Sequence, residues 1–302
     1  MQNNPRPFRW AIAISAIYLS LHSASAAEPE WTGWLGPNRN GWVSDVKLPQ
    51  AWPDAIQPRW RIKVGAGYGS PLLADGHVYQ HARQDDQEVA WCVDLDTGNI
   101  RWRQTEPTPF KMGGGGEQHG KGPKSCPVLA DGRLFTMSIT GTLIAREIET
   151  GNVIWKRDYN ARFAKSHPYW GVSASPIVVD NLVIVHFGND ERGTLVALDT
   201  ATGKEVWTQG TEGPSYSSPL LADFAGVPQI IDWNHNTLAG IEVATGKLLW
   251  QQSFPHEGHN QNMPTPTIHQ DQILLGAENR GMHSFEPQYS DGAWHVKENW
   301  HQ

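Results

Sequence analysis

Apolar residues in this chain fall in short runs separated by Gly, Pro, Asn and Asp, and no stretch holds a helical period. Leu72-Leu73-Ala74 and Val128-Leu129-Ala130 are representative, as are the longer Leu182-Val183-Ile184-Val185 and Leu195-Val196-Ala197-Leu198. Runs of this kind, rich in β-branched residues and bounded by turn formers, predict strands. Asp75-Gly76 and Asp131-Gly132 sit between such runs and predict two-residue hairpins, because glycine tolerates positive φ at little cost. Asp180-Asn181 takes the same role further on. The middle strands are apolar almost throughout, so they are expected to be covered on both faces.

These elements repeat. A small residue and a proline open each unit, at Pro71, Pro127, Pro176, Pro219 and Pro266, and a tryptophan closes it, at Trp102, Trp155, Trp207, Trp250 and Trp300. Successive closing tryptophans are 53, 52, 43 and 50 residues apart, the period of a four-stranded propeller blade of about 40–50 residues. Before the first four tryptophans stands a Thr-Gly turn whose glycine, Gly98, Gly151, Gly203 or Gly246, lies four residues upstream of the Trp. Each Trp therefore occupies one fixed point on the outermost strand, from which its indole can lie across the next blade and find a partner for its N–H. In the fifth unit Asp291-Gly292 replaces Thr-Gly and the hairpin to Trp300 is longer.

The segments Asp94-Leu95-Asp96-Thr97-Gly98-Asn99-Ile100-Arg101-Trp102 and Ala197 to Trp207 resemble the tryptophan-docking motif of propellers named after pyrroloquinoline quinone (PQQ) enzymes. The resemblance extends over about residues 31–302 and implies an all-β propeller of four-stranded antiparallel blades. About five blades are expected. Members of that family usually form rings of seven or eight, so the reading expects a ring cut short, with a true five-bladed ring as the alternative. Trp60, 42 residues before Trp102, resembles the outer strand of a further blade. Trp31-Thr32-Gly33-Trp34 resembles the opening pattern of exported PQQ-like repeat proteins.

The chain has 302 residues, 15 of them Trp, and a formal net charge of −7. No basic block is present, which argues against a nucleic-acid partner. Arg6 and Arg9, an apolar run from Trp10 to Leu21 and the small-residue stretch Ala24-Ser25-Ala26 read as a signal peptide over residues 1–26. That run is shorter than the roughly 20 residues a span needs. The expected division is a signal peptide at 1–26, an extension at 27–59 and repeats from 60 to 302, in a periplasmic or secreted protein with no membrane span after cleavage. Cys92 and Cys126 are left open between a disulfide and two buried thiols.

Candidate ligand residues fall on loops that enter the blades. In the glycine-rich loop Gly113–Gly122, Glu117, His119 and Lys121, with Lys124 just beyond it, could line a polar funnel. The loop approaches a phosphate-binding pattern, but Gly122 stands where Ser or Thr is needed and a strand follows instead of a helix. Phe163 to Gly171, with Trp170, enters the next blade in the same manner; His235 and Arg280 are expected on the same face, beside Asn234, Glu278 and Asn279. His256-Glu257-Gly258-His259 lacks the spacing and helix of a zinc site. No catalytic residue and no metal site are predicted.

Two functions remain. The first is a non-enzymatic exported scaffold that binds a protein or envelope component through one ring face, with no cofactor. It is similar in repeat type to outer-membrane assembly propellers, without their lipid-anchored cysteine. The second is a quinoprotein dehydrogenase acting on an alcohol or sugar with PQQ and calcium. That resemblance implies an adjacent-cysteine disulfide and several cations for the three cofactor carboxylates, and no Cys-Cys pair occurs.

Overall fold

The structure, a computed structural model, describes residues 30–43, 48–112, 117–159, 162–163, 167–258 and 262–302. The proposed signal peptide lies outside the described residues.

Among the described residues, twenty strands form five four-stranded antiparallel sheets, each a simple meander. The first blade holds β1 (Leu72–Ala74), β2 (His77–Gln84), β3 (Gln87–Asp94) and β4 (Ile100–Pro107); the second holds β5 (Val128–Ala130), β6 (Arg133–Met137), β7 (Thr142–Glu147) and β8 (Val153–Asp158). The third comprises β9 (Ile177–Val179), β10 (Leu182–Gly188), β11 (Gly193–Asp199) and β12 (Glu205–Gln209). The fourth comprises β13 (Leu220–Phe224), β14 (Val227–Trp233), β15 (Thr237–Glu242) and β16 (Leu248–Ser253). The fifth comprises β17 (Thr267–His269), β18 (Gln272–Ala277), β19 (Gly281–Ser290) and β20 (Ala293–His301). The all-β propeller reading, with four-stranded antiparallel blades, holds.

The core lies in the seams between blades. Phe135, Met137 and Trp155 of the second blade meet Val183, Val185 and Phe187 of the third, and equivalent clusters fill the seams on either side of the fourth. This is why β10 and β11 are apolar almost without interruption: each of their faces is roofed by a neighbouring sheet.

Every outer strand carries a β-bulge one residue before its closing tryptophan. The extra residue bends the strand and re-aims the side chain that follows. Opposite the five tryptophans across the sheet stand Cys92, Ala145, Ala197, Gly240 and Ser284, all small, which leaves room for the indole to lie down. Cys92 thus has a packing role, and both cysteines are free and buried.

Four indoles dock as the motif implies. Trp60, Trp102, Trp155 and Trp207 donate their N–H to the carbonyls of Leu95, Ile148, Thr200 and Val243 in the following blade, at 2.7–2.9 Å. Each lies over the Thr-Gly turn it caps: a Cβ on Gly98, Gly151, Gly203 or Gly246 would stand 2.6 Å from the ring. An acidic residue three positions before the threonine ties each turn, as Asp199 does by accepting from Thr202 N and Oγ1 at 2.8 and 2.6 Å. The fifth blade has no such turn. Trp250 accordingly bonds to Gln229 Oε1 of its own blade at 2.7 Å, and a Cβ on Gly292 would meet nothing within 4 Å among the described residues. Trp300 is 42 % exposed, and Trp60 belongs to an alternating segment in which Trp60, Ile62 and Val64 cover the first blade without strand pairing.

Candidate functional site

The meander puts the inter-blade loops and the β2–β3-type turns on one face, and the Asp-Gly and Thr-Gly hairpins on the other. At the loop face the opening prolines set the geometry. In three blades the residue before the proline reaches across to its counterpart in the next: Cys126 N donates to Ser175 Oγ at 2.9 Å, Ser175 N to Ser218 Oγ at 2.9 Å, and Ser218 N to Thr265 Oγ1 at 3.3 Å. This belt links four successive blades around the inner strands.

Two positions further upstream in each repeat, three before the proline, stand Tyr68, Lys124, Ser173, Tyr216 and Met263. The belt fixes their phase, so they occupy equivalent positions at the inner end of the loop face, the mouth of the propeller. Unlike the buried belt residues Ser175 and Ser218, they reach solvent; Tyr68 is 58 % exposed. Lys124 Nζ lies 5.0 Å over the Tyr68 ring, and the Tyr68 hydroxyl donates to the His119 carbonyl at 2.7 Å. Burial lowers the Lys124 pKa. The His119 and Trp170 rings are 6.3 Å apart, Trp170 and Tyr216 5.4 Å, and Trp170 N donates to the Tyr216 hydroxyl at 3.3 Å. His119, Lys124 and Trp170 are therefore brought together.

The remaining candidates are distributed. Glu117 opens a short 3-10 turn ending at His119. Lys121 is exposed, and its carbonyl accepts from Arg83 at 3.5 Å. His235 is buried, 3.9 Å from Asp190, whose carboxylate accepts from Tyr169 N at 2.8 Å. Burial, then the neighbouring rings of His256 and His186, push His235 down to about 4. Arg280 turns away from the mouth to bond Pro255 O and Asn262 Oδ1 and lies 4.7 Å over Phe254, where it fastens a loop. Asn234 is a turn residue, accepting from Thr237 N at 2.9 Å. Phe163 is in the core between the second and third blades. Gly113–Gly116 and His259 lie outside the described residues.

Beside this group, His186 is buried with Nδ1 2.9 Å from Asp232 Oδ2 and Nε2 2.9 Å from the Glu212 carbonyl. Both partners are acceptors, an arrangement that favours the doubly protonated ring. Burial opposes that charge, but Asp232 and Glu212 outweigh it and raise the pKa.

The family model described as outer membrane protein assembly factor BamB matches residues 85–301. The chain belongs to this family of PQQ-like propeller repeats. BamB of Kangiella koreensis is 29% identical over 148 residues, covering 46% of this chain and 34% of that one. Subunit 1 of the methanol dehydrogenase of Methylorubrum extorquens is 27% identical over 209 residues, 63% of this chain and 32% of its own length. The chain thus spans about a third of the length of these relatives. Two solved folds are alike. BamB from Moraxella catarrhalis has a TM-score of 0.50 at 15% identity, covering 79% of this chain and 71% of that one. The quinohemoprotein alcohol dehydrogenase of Comamonas testosteroni gives 0.58 at 16%, covering 87% and 48%. BamB-type and quinoprotein propellers therefore share this architecture, and the fold alone does not choose between their activities.

The sequence analysis finds Lys124 at this position but misses Tyr68 and Tyr216, which lie in no conspicuous motif; their common distance from the prolines is the signal that finds them.

Proposed function

We propose that this protein is an exported propeller scaffold that engages a protein or envelope component at the mouth of its loop face. The observation that carries the reading is the row of Tyr68, His119, Trp170 and Tyr216, linked ring to ring or through the Tyr68 hydroxyl, with the half-buried Lys124 ammonium over the Tyr68 ring. Tyrosine and tryptophan anchors are the residues that recognition surfaces concentrate. The Lys124 ammonium has no acidic partner among the described residues, so an acidic group on the bound component would complete it.

The quinoprotein alternative requires residues that fit PQQ and its metal ion. They do not fit among the described residues. No three His, Cys, Asp or Glu converge to hold a metal ion, and the cavity on the ring axis offers one guanidinium, Arg39, to a tricarboxylate.

A photo-crosslinking amino acid placed in exported protein at His119, and separately at Asp131 on the opposite face, tests the proposal. Discrete adducts from position 119 and none from 131 are expected. Equal labelling from both faces, or saturable calcium-dependent binding of PQQ by the purified protein, would overturn it.

A further inference from the structure

The segment before the first blade does not lie outside the ring. Trp31 pairs with Leu73 on the inner edge of β1, exchanging bonds of 2.7 and 2.9 Å, and Leu129 N of β5 donates to the Thr32 carbonyl at 2.8 Å. Inner strands end in unpaired backbone groups, and this segment covers the first two. It then leaves a cavity of about 460 Å³ between itself and the inner strands of the second to fifth blades, a volume within the roughly 300–1,000 Å³ of ligand pockets.

Half of the lining is aliphatic, with Leu35 from the segment and Val128, Ile177, Leu221 and Ile268 on the inner-strand side, Asn38 and Asn40 add polar groups, and Arg39 is its one charged residue among the described residues. Two Arg39 nitrogens donate to backbone: Nη1 to Pro176 O at 3.0 Å and Nη2 to Ser175 O at 3.3 Å. Its Nε is buried with no hydrogen-bond partner among the described residues. The nearest titratable group acting on it is the Cys126 thiol, which burial pushes up to about 12 and so keeps neutral. A guanidinium carries five donors, and a desolvated charge is costly until an ion of opposite sign meets it.

The geometry points to the axial cavity as a binding site for a small monocarboxylate with an apolar body, its carboxylate on Arg39 and its body against the inner-strand aliphatics. One cation specifies one anionic group. The site is separate from the mouth cluster and does not depend on what that cluster binds.

Calorimetric titration of the full chain with benzoate, and with benzamide as its neutral counterpart, tests the assignment. Saturable benzoate binding is expected, with benzamide weaker by about tenfold or more, since charge-assisted bonds are the stronger ones. Arg39→Gln should lower benzoate affinity by about tenfold or more and leave benzamide unchanged. Arg39 also fastens the segment to the start of the third blade, so this variant is read only with a native-like melting curve. Leu221→Trp fills the cavity, leaves Arg39 in place, and should abolish benzoate binding. Equal binding of benzoate and benzamide, absence of saturation, undiminished affinity in folded Arg39→Gln, or retained binding in Leu221→Trp would each overturn the assignment.

Discussion

The Trp102 indole donates its N–H to the Ile148 carbonyl at 2.9 Å and lies flat over Gly151, whose φ is +71°. The same arrangement recurs in three other seams, and each depends on the absence of one methyl group. Gly151→Ala places a Cβ 2.6 Å from that ring in left-handed backbone. The expected loss is about 2–4 kcal/mol. Gly292→Ala, also at positive φ but with open space around it, should cost about 1 kcal/mol. Urea unfolding of the two variants checks the difference, and similar losses would argue against indole contact as its source.

The docking hydrogen bond has its own contribution. Trp155→Phe keeps a ring in the seam but leaves the buried Thr200 carbonyl unpaired, and should destabilise by about 2–3 kcal/mol. Trp300→Phe, at the exposed fifth position, should change stability by no more than about 0.5 kcal/mol. Thermal melts of both variants measure the contrast.

Two buried histidines predict opposite pH dependence. His235 is held down at about 4 against an ordinary 6.5, so folding disfavours its proton. Its effect is a loss of stability as pH falls from about 6.5 toward 4, on the order of 2–3 kcal/mol. His235→Gln should flatten that acid limb in urea titrations. His186 has its pKa raised, so its stabilisation is fully present below the unfolded value and is lost as pH rises through the folded one. His186→Gln should therefore destabilise most at low pH, and a uniform effect across pH would count against the charged pair with Asp232.

Burial raises the thiol pKa of Cys92 to about 11 and of Cys126 to about 12. Neither should react with Ellman's reagent at pH 8 in the folded protein, and both should react in urea, at least about 100-fold faster. A missing thiol in the unfolded sample would reveal a disulfide instead.

Much of this architecture is legible in the sequence. The prolines, the Thr-Gly turns and the spacing of the tryptophans predict four-stranded blades, because one local turn chemistry recurs in phase. The small residue opposite each Trp is equally present, two positions before the acidic residue of each turn, and only the bulged register explains why it must be small. The course of Trp250 is not legible: its turn toward Gln229 follows from what the next blade lacks. Residues 31–41 belong to no repeat, so nothing in their sequence phase tells that they line the axis. Arg280 is expected as a ligand residue from its placement in a turn, and a nearer set of carbonyl and amide acceptors claims it instead.

Each seat on a Thr-Gly turn is filled by a tryptophan that precedes it in the chain, 35 to 46 residues before the carbonyl it bonds. The linkage therefore has a direction. A chain emerging amino end first, as in synthesis, can latch every new blade onto one already made, without waiting for sequence still to come. Its stability is accordingly a sum over neighbouring seams, and damage to one latch should propagate toward the carboxyl end more readily than toward the amino end.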